Sequence, residues 1–494
     1  MNRERMHFQK RAGKAWVVVA LGLSLGILNG CDSLLEVDLP ASLTDQALND
    51  PAGATTLVNS IIGQFETGWN RGVWDIHGRS AACEVILQSP GVEDPCEYVP
   101  TIDTDFYNPI SISRSFAYQL HAKLTDEWGV IDVPLRSQYL AISSIYAGAT
   151  VAVMAEFLCE VAIDGGTLMT PDAANEIAET WLTTAIAEVG TAGDFALPHG
   201  IATSAEELAY GLRARVRWAR GNTTGALADA KQVSDGFVGW VTREPGLARR
   251  NLSAHHSYII GYEKLFGIID WWVGGNNPVT GQAWPNPLPF TGYIALGILP
   301  DGRAIRDDGL TIRMADAPDT QPGREATAVA DTRVPFIEGI TQGSSEPSHQ
   351  SAKWTAEDDD LPWVNWKEMQ LIAAEIEGGQ GAIDRVNVLR AADGLPLVTY
   401  ADAGNATQIK YMIIEERRRE LFMEGRYYAT EIKNPGLLWF PRATGNDLET
   451  AEGYGGGVKH LMPQDEYLLN PNLGLGDRAT GCDANLRPSN IDAG

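Results

Sequence analysis

Apolar residues recur at helical spacing through most of this chain. Leu57, Ile61 and Phe65 fall at i, i+4 and i+8 and predict a first helix opening at Asp50-Pro51. Phe116, Leu120 and Leu124 predict a second helix over 111–128. Leu135, Ile142, Ile145, Ala149, Val153 and Phe157 predict a long third one that reaches Cys159. Thr170-Pro171 opens the next, with Ile177, Trp181, Ala185 and Val189 on its stripe. Ser204-Ala205-Glu206-Glu207 has the capping-box pattern, in which Ser and Glu satisfy each other's orphan backbone donors. Leu208, Leu212, Val216 and Ala219 carry that stripe to Gly221-Asn222, and Ala226, Ala230 and Val233 begin another helix. A second hairpin comes much later, with Trp366, Met369, Ile372 and Ile376, a Gly378-Gly379 break, then Ile383, Val386 and Leu389.

The run Tyr210, Ala219-Arg220-Gly221-Asn222, Ala226 and Ala230 resembles one tetratricopeptide-type hairpin, whose small facing residues let backbones approach closely. No clean repeat of that length runs through the chain. Between about 237 and 361 the rhythm breaks. Gly274-Gly275-Asn276-Asn277-Pro278 and Pro285-Asn286-Pro287-Leu288-Pro289 stand there, and helical spacing is weak. So long an irregular stretch inside a helical protein points to function.

The N-terminus reads as an address. Arg3, Arg5, Lys10, Arg11 and Lys14 precede an apolar run from Ala15 to Leu28, short for a spanning helix, which needs about 20 residues. Leu28-Asn29-Gly30-Cys31 follows and resembles a bacterial lipobox, which predicts a signal peptide over 1–30 and lipidation at Cys31. The remaining chain, 31–494, is expected to form one domain: an N-terminal part to about 236, the loop-rich insertion over 237–361, and a C-terminal region over about 331–475. Residues 32 onward show no unbroken apolar run of spanning length, so anchoring rather than spanning is expected. Cys83 and Cys96 flank a Pro- and Gly-containing segment and are the first choice for a local disulfide, which export permits.

Composition narrows the function. The chain has 494 residues, with 38 Lys+Arg against 64 Asp+Glu, a net charge of −26. Phosphate backbones would repel so acidic a surface, which disfavours nucleic acid as a partner. Hydrophobic residues at 44% and charged residues at 21% exclude a disordered chain. No GxSxG, P-loop, HExxH or CxxC occurs, so no nucleophile, metal or cofactor is expected. Trp is abundant, with 14 residues.

The C-terminal third carries a family pattern. Glu368-Met369-Gln370-Leu371-Ile372-Ala373-Ala374-Glu375, Val386-Asn387-Val388-Leu389-Arg390-Ala391 and Gly394-Leu395-Pro396 stand in order. Ile413-Ile414-Glu415-Glu416-Arg417-Arg418-Arg419-Glu420-Leu421-Phe422-Met423-Glu424-Gly425-Arg426 and Met462-Pro463-Gln464-Asp465-Glu466 follow, with Asp331-Thr332-Arg333 ahead of them. This order resembles SusD/RagB-like outer-membrane lipoproteins. After Arg426 the chain departs from the family's usual run, reading Tyr427-Tyr428-Ala429-Thr430. The resemblance implies a mostly α fold, a right-handed superhelix of tetratricopeptide-like hairpins with long irregular loops. It also implies a lipid-anchored, cell-surface protein of the outer membrane that captures an oligosaccharide or peptide and passes it to a TonB-dependent, SusC/RagA-like transporter.

Two stretches combine aromatic faces with polar edges, as sugar binding requires. One holds Trp69, Trp74, His77 and Arg79; the other holds Trp271, Trp272, Asn276 and Trp284. Trp181, Trp218, Trp363 and Trp366 lie on helical stripes and read as packing residues. Glu416 and Glu420 continue the apolar face of Ile409, Met412 and Ile413, where buried carboxylates need cations. Arg333, Arg390, Arg417 and Arg426 are the candidates for such structural ion pairs. Two competing functions use the same features: a surface glycoside hydrolase with two carboxylates in an aromatic cleft, and a helical scaffold that binds only proteins.

Overall fold

The computed structural model describes residues 49–72, 101–102, 104–243, 333, 335–340, 347–356, 358–395, 397–398, 401–434 and 459–478, together with short strands at 85–89, 92–94, 97–98, 266–268, 275–276, 283–284, 303–305, 312–314 and 442–443. The predicted signal peptide, Cys31, Cys83 and Cys96 lie outside the described residues. Cys159, which is described, is disulfide-bonded. The chain divides into Met1–Gly53 and Ala54–Gly494. The described part of the first unit is a turn, Pro51–Gly53, in which the Asp50 carboxylate accepts from Ala52 N at 3.0 Å.

The second unit is built from helices that pack in chain order: α1 (Ala54–Arg71), α2 (Thr104–Asp126), α3 (Arg136–Phe157), α4 (Pro171–Ala192), α5 (Ala205–Ala219), α6 (Thr223–Ala230), α7 (Trp366–Glu377), α8 (Gly379–Ala392), α9 (Ala406–Glu420) and α10 (Tyr427–Lys433). A last short helix, α11, spans Gln464–Leu469. Helix α1 buries the predicted stripe of Leu57, Ile61 and Phe65. Helix α2 starts seven residues before the expected 111, because Phe106, Tyr107 and Ile110 add a buried turn around Pro109. Packing of that turn overrides the proline's poor fit to a helix interior.

Helix α3 is the centre of the unit. It is long and apolar enough to cross a membrane, yet 83% of its apolar window is buried inside the fold. Gly148 lets α4 come close: a Cβ there would meet Leu182 Cγ at 2.7 Å and Ala178 O at 3.1 Å. Thr170 caps α4 by accepting from Ala173 N at 3.2 Å. Ser204 caps α5 by accepting from Glu207 N at 3.0 Å. The Glu207 side chain does not return the bond. It accepts from Ser234 N at 2.7 Å instead, so only half of the predicted box forms. Between α7 and α8 the reversal is made by Gly378 at φ +64°, a conformation glycine adopts without steric cost.

The insertion is closed at its base. Strand Val238–Val241 pairs antiparallel with strand Leu361–Asn365, matching Val241 to Leu361 and Val238 to Asn365. The second strand delivers Trp363 into an aromatic cluster with Phe65 at 4.6 Å and Tyr146 at 5.5 Å between ring centroids. Burying each such side chain contributes about 1.5–3 kcal/mol.

Glu368, in the first turn of α7, is 1% exposed and must be neutralised where it stands. It accepts from Arg215 Nη2 at 2.5 Å and from Arg215 Nε and Arg426 Nε, each at 3.0 Å. Arg215 also donates to Trp363 O at 2.7 Å, and Arg426 Nη1 to Glu156 Oε1 at 2.9 Å. One carboxylate thereby joins α3, α5, α7, the closing strand and the segment before α10. Burial alone would raise its pKa, but the two guanidiniums outweigh burial and hold it at about 2. Its folded value is below its ordinary 4.5, so its stabilising contribution is complete above pH 4.5 and is lost as pH falls toward 2. Glu368→Gln should lower unfolding free energy at pH 7 by about 3–5 kcal/mol, as for a broken buried pair. Denaturant titrations over pH 2 to 7 should also show a shallower acid slope in the variant; an unchanged slope would remove Glu368 from this role.

Candidate functional site

Helix α9 carries the charged signature into the interior. Glu416 accepts from Arg390 Nη1 at 3.1 Å and pairs with Arg333, which also donates to Glu420 Oε2 at 3.1 Å. Lys367 pairs with Glu420 as well. Arg417 behaves differently from its neighbours. Its guanidinium lies 4.4 Å from the Trp218 ring, and its Nε donates to Thr430 Oγ1 at 3.2 Å. Among the described residues it has a cation–π contact with Trp218 on α5 and no direct carboxylate pair.

A cavity of about 270 Å³ opens beside these acids, with Trp240, Trp366, Lys353, Glu420 and Glu424 in its wall. Lys353 donates to Glu424 Oε1 at 2.7 Å, and Asn365 Nδ2 to Glu424 Oε2 at 2.6 Å. Burial pushes both carboxyl pKa values up, against Arg333 and Lys367 at Glu420 and against Lys353 at Glu424. Each acid is engaged by a cation. The arrangement is that of a charge-balanced framework.

Of the residues singled out in the aromatic stretches, Trp69, Asn276 and Trp284 are described. Trp69 does not stand in a loop: it occupies the last turns of α1, is 1% exposed, and has its ring 6.1 Å from Phe65. Its position on the same stripe as Phe65, four residues on, is the reason, and it is unavailable as a surface stacking platform. Trp74, His77, Arg79, Trp271 and Trp272 lie outside the described residues. Asn276 and Trp284 lie on neighbouring strands, in a ladder that pairs Gly275 with Trp284 and Asn276 with Ala283.

Strand Val85–Ser89 pairs antiparallel with Phe266–Ile268, matching Val85 to Ile268 and Leu87 to Phe266. The first strand therefore begins at the end of the ladder where the second finishes. Sequence reasoning missed this pairing, since neither strand is long enough to show alternation. It also missed Glu66, which accepts from Thr242 N at 2.9 Å and ties the insertion's first strand to α1. An acid beside Phe65, on the buried side of an apolar helix, was its available signal.

Neither a protein-family profile nor a curated protein matches the chain. Among solved structures it is similar to a SusD-like protein of Bacteroides fragilis, with a TM-score of 0.52 and 12% identity over 88% of this chain and 98% of that one. A SusD homolog of Bacteroides thetaiotaomicron is also similar, at TM-score 0.49 and 13% identity over 86% and 96% of the two chains. A SusD-like carbohydrate-binding protein of Bacteroides vulgatus follows, at 0.47 and 13% over 86% and 97%. Nearly the whole of the Bacteroides fragilis chain is matched in order by this mostly helical unit, and its fold is the SusD-like fold.

Proposed function

We propose that this protein is a non-catalytic surface lipoprotein, anchored through Cys31, that captures a glycan and delivers it to a TonB-dependent transporter in the outer membrane. The observation that supports this reading is the SusD-like fold of the helical unit. Sugars offer apolar ring faces edged with hydroxyls, and Trp74, Trp271, Trp272 and Trp284 beside His77, Arg79 and Asn276 supply matching aromatic planes and hydrogen-bonding groups. A net charge of −26 favours a neutral glycan over a strongly anionic one. The buried acids are held by cations, which supports capture over bond cleavage.

Three experiments test the reading. A glycan array followed by calorimetry should find a bound oligosaccharide that is recovered uncut after long incubation; release of shorter products would favour the hydrolase. Replacing Trp271, Trp272 and Trp284 together by Ala should weaken that glycan at least ten-fold without lowering thermal stability, on the order of 1.4 kcal/mol or more. Unchanged affinity would move the site elsewhere. A large β-barrel receptor should co-purify from detergent-solubilised outer membranes, and its consistent absence would favour a scaffold role.

A further inference from the structure

The cavity of about 270 Å³ beside Glu420 and Glu424 is lined by none of the residues of the loop surface proposed above. Strand alternation sets its apolar side. Gly239 and Val241 are buried, and a Cβ at Gly239 would meet Leu208 Cδ1 on α5 at 2.8 Å. Val238 and Trp240 are half-buried on the opposite face and line the cavity, with Pro362 paired beside Trp240. Trp366, at the start of α7, is also half-buried and completes that side.

The polar side is made of buried carboxylates with acceptor capacity left over. Glu420 and Glu424 are 2% and 7% exposed. Glu424 takes one donor on each oxygen, Lys353 at 2.7 Å and Asn365 at 2.6 Å. Glu420 Oε2 accepts from Arg333 at 3.1 Å, and its Oε1 pairs with Lys367. An ionised carboxylate offers about four acceptor sites, so each of these oxygens can take a second donor. Burial outweighs the neighbouring cations and raises both carboxyl pKa values, as expected of carboxylates short of hydrogen-bond donors. Charge is already matched, because the wall sets Arg333, Lys353 and Lys367 against Asp393, Glu420 and Glu424. An added ion of either sign would upset that match, whereas a neutral hydroxyl would not.

Water can supply hydroxyl donors but gains nothing from the tryptophan side. A sugar ring meets both sides at once, with C–H faces for the indoles and hydroxyls for the acids. At about 10–15 Å³ of such volume per water-sized group, the cavity has room for the roughly dozen non-hydrogen atoms of a hexose. From this pairing of an aromatic side with charge-matched, under-solvated carboxylates, we infer that the cavity is a pocket for one neutral sugar ring. Its C–H face lies toward Trp240 and Trp366, and its hydroxyls donate to Glu420 and Glu424. The pocket is a point of sugar contact at the root of the insertion, and it holds whether or not the loop tryptophans bind glycan.

Titrations of the purified protein with D-glucose, D-galactose, D-mannose and D-xylose, followed by ligand-observed NMR, test this. At least one of the four should saturate a single site, and D-glucuronate should bind at least ten-fold more weakly than that sugar. Trp240→Ala should weaken the sugar at least ten-fold. Val238→Trp, which adds bulk from the cavity-facing side of the strand, should do the same with the carboxylates left in place. The melting temperature of each variant reports whether it folds; where one does not, the other variant and the D-glucuronate comparison decide. Absence of saturable binding by all four sugars, equal binding of D-glucuronate, or binding that survives both substitutions would overturn the assignment. Binding kept in Trp240→Ala but lost on replacing Trp271, Trp272 and Trp284 would place the sugar on the loops and overturn it as well.

Discussion

A carboxylate buried at the start of a helix cannot remain charged without cations, and Glu368 sets that condition for this fold. Its partners Arg215 and Arg426 come from positions more than 50 residues away on either side, so the network forms only when α5, α7 and the segment before α10 are already placed together. Arg215 extends the constraint to the main chain of Trp363, and Arg426 to Glu156 on α3. Removing any one member strands a buried charge, which makes the arrangement specific as well as stabilising. The helical stack and the root of the insertion are thereby fixed by the same few side chains.

That rigidity is what a loop-borne site requires. The strands at 238–241 and 361–365 hold the two ends of the insertion side by side, and Glu66 pins the first of them to α1. A long connection can then vary in sequence and shape without disturbing the scaffold that presents it. The tryptophans divide along this line. Trp69, Trp218 and Trp363 are buried among helices and carry packing, while Trp284 belongs to the insertion, on a short strand paired back on the chain.

Much of the scaffold was legible in the sequence, because helical spacing is a local property. Leu57, Ile61 and Phe65, the caps Thr170 and Ser204, and the Gly378 break all mark elements present in the fold. What needed the structure was non-local. Pro109 concealed the first turns of α2, whose stability comes from contacts of Phe106 and Ile110 rather than propensity. Glu207 had the residue type for a reciprocal cap, but Ser234 competes for its carboxylate. Four- and five-residue strands more than 100 residues apart gave no periodicity that would pair Val241 with Leu361. Within the 69–79 stretch, aromatic-polar composition could not show that Trp69 stands on a buried helix face.

Hydrogen exchange measured with and without a bound oligosaccharide tests the central claim most directly. If the insertion and the segment leading into the 85–89 strand form the capture surface on a rigid scaffold, protection on binding should appear in peptides covering 73–89 and 266–284. Exchange in α3, α4 and α5 should stay unchanged. Protection confined to those helices, with none in the two stretches, would contradict the account.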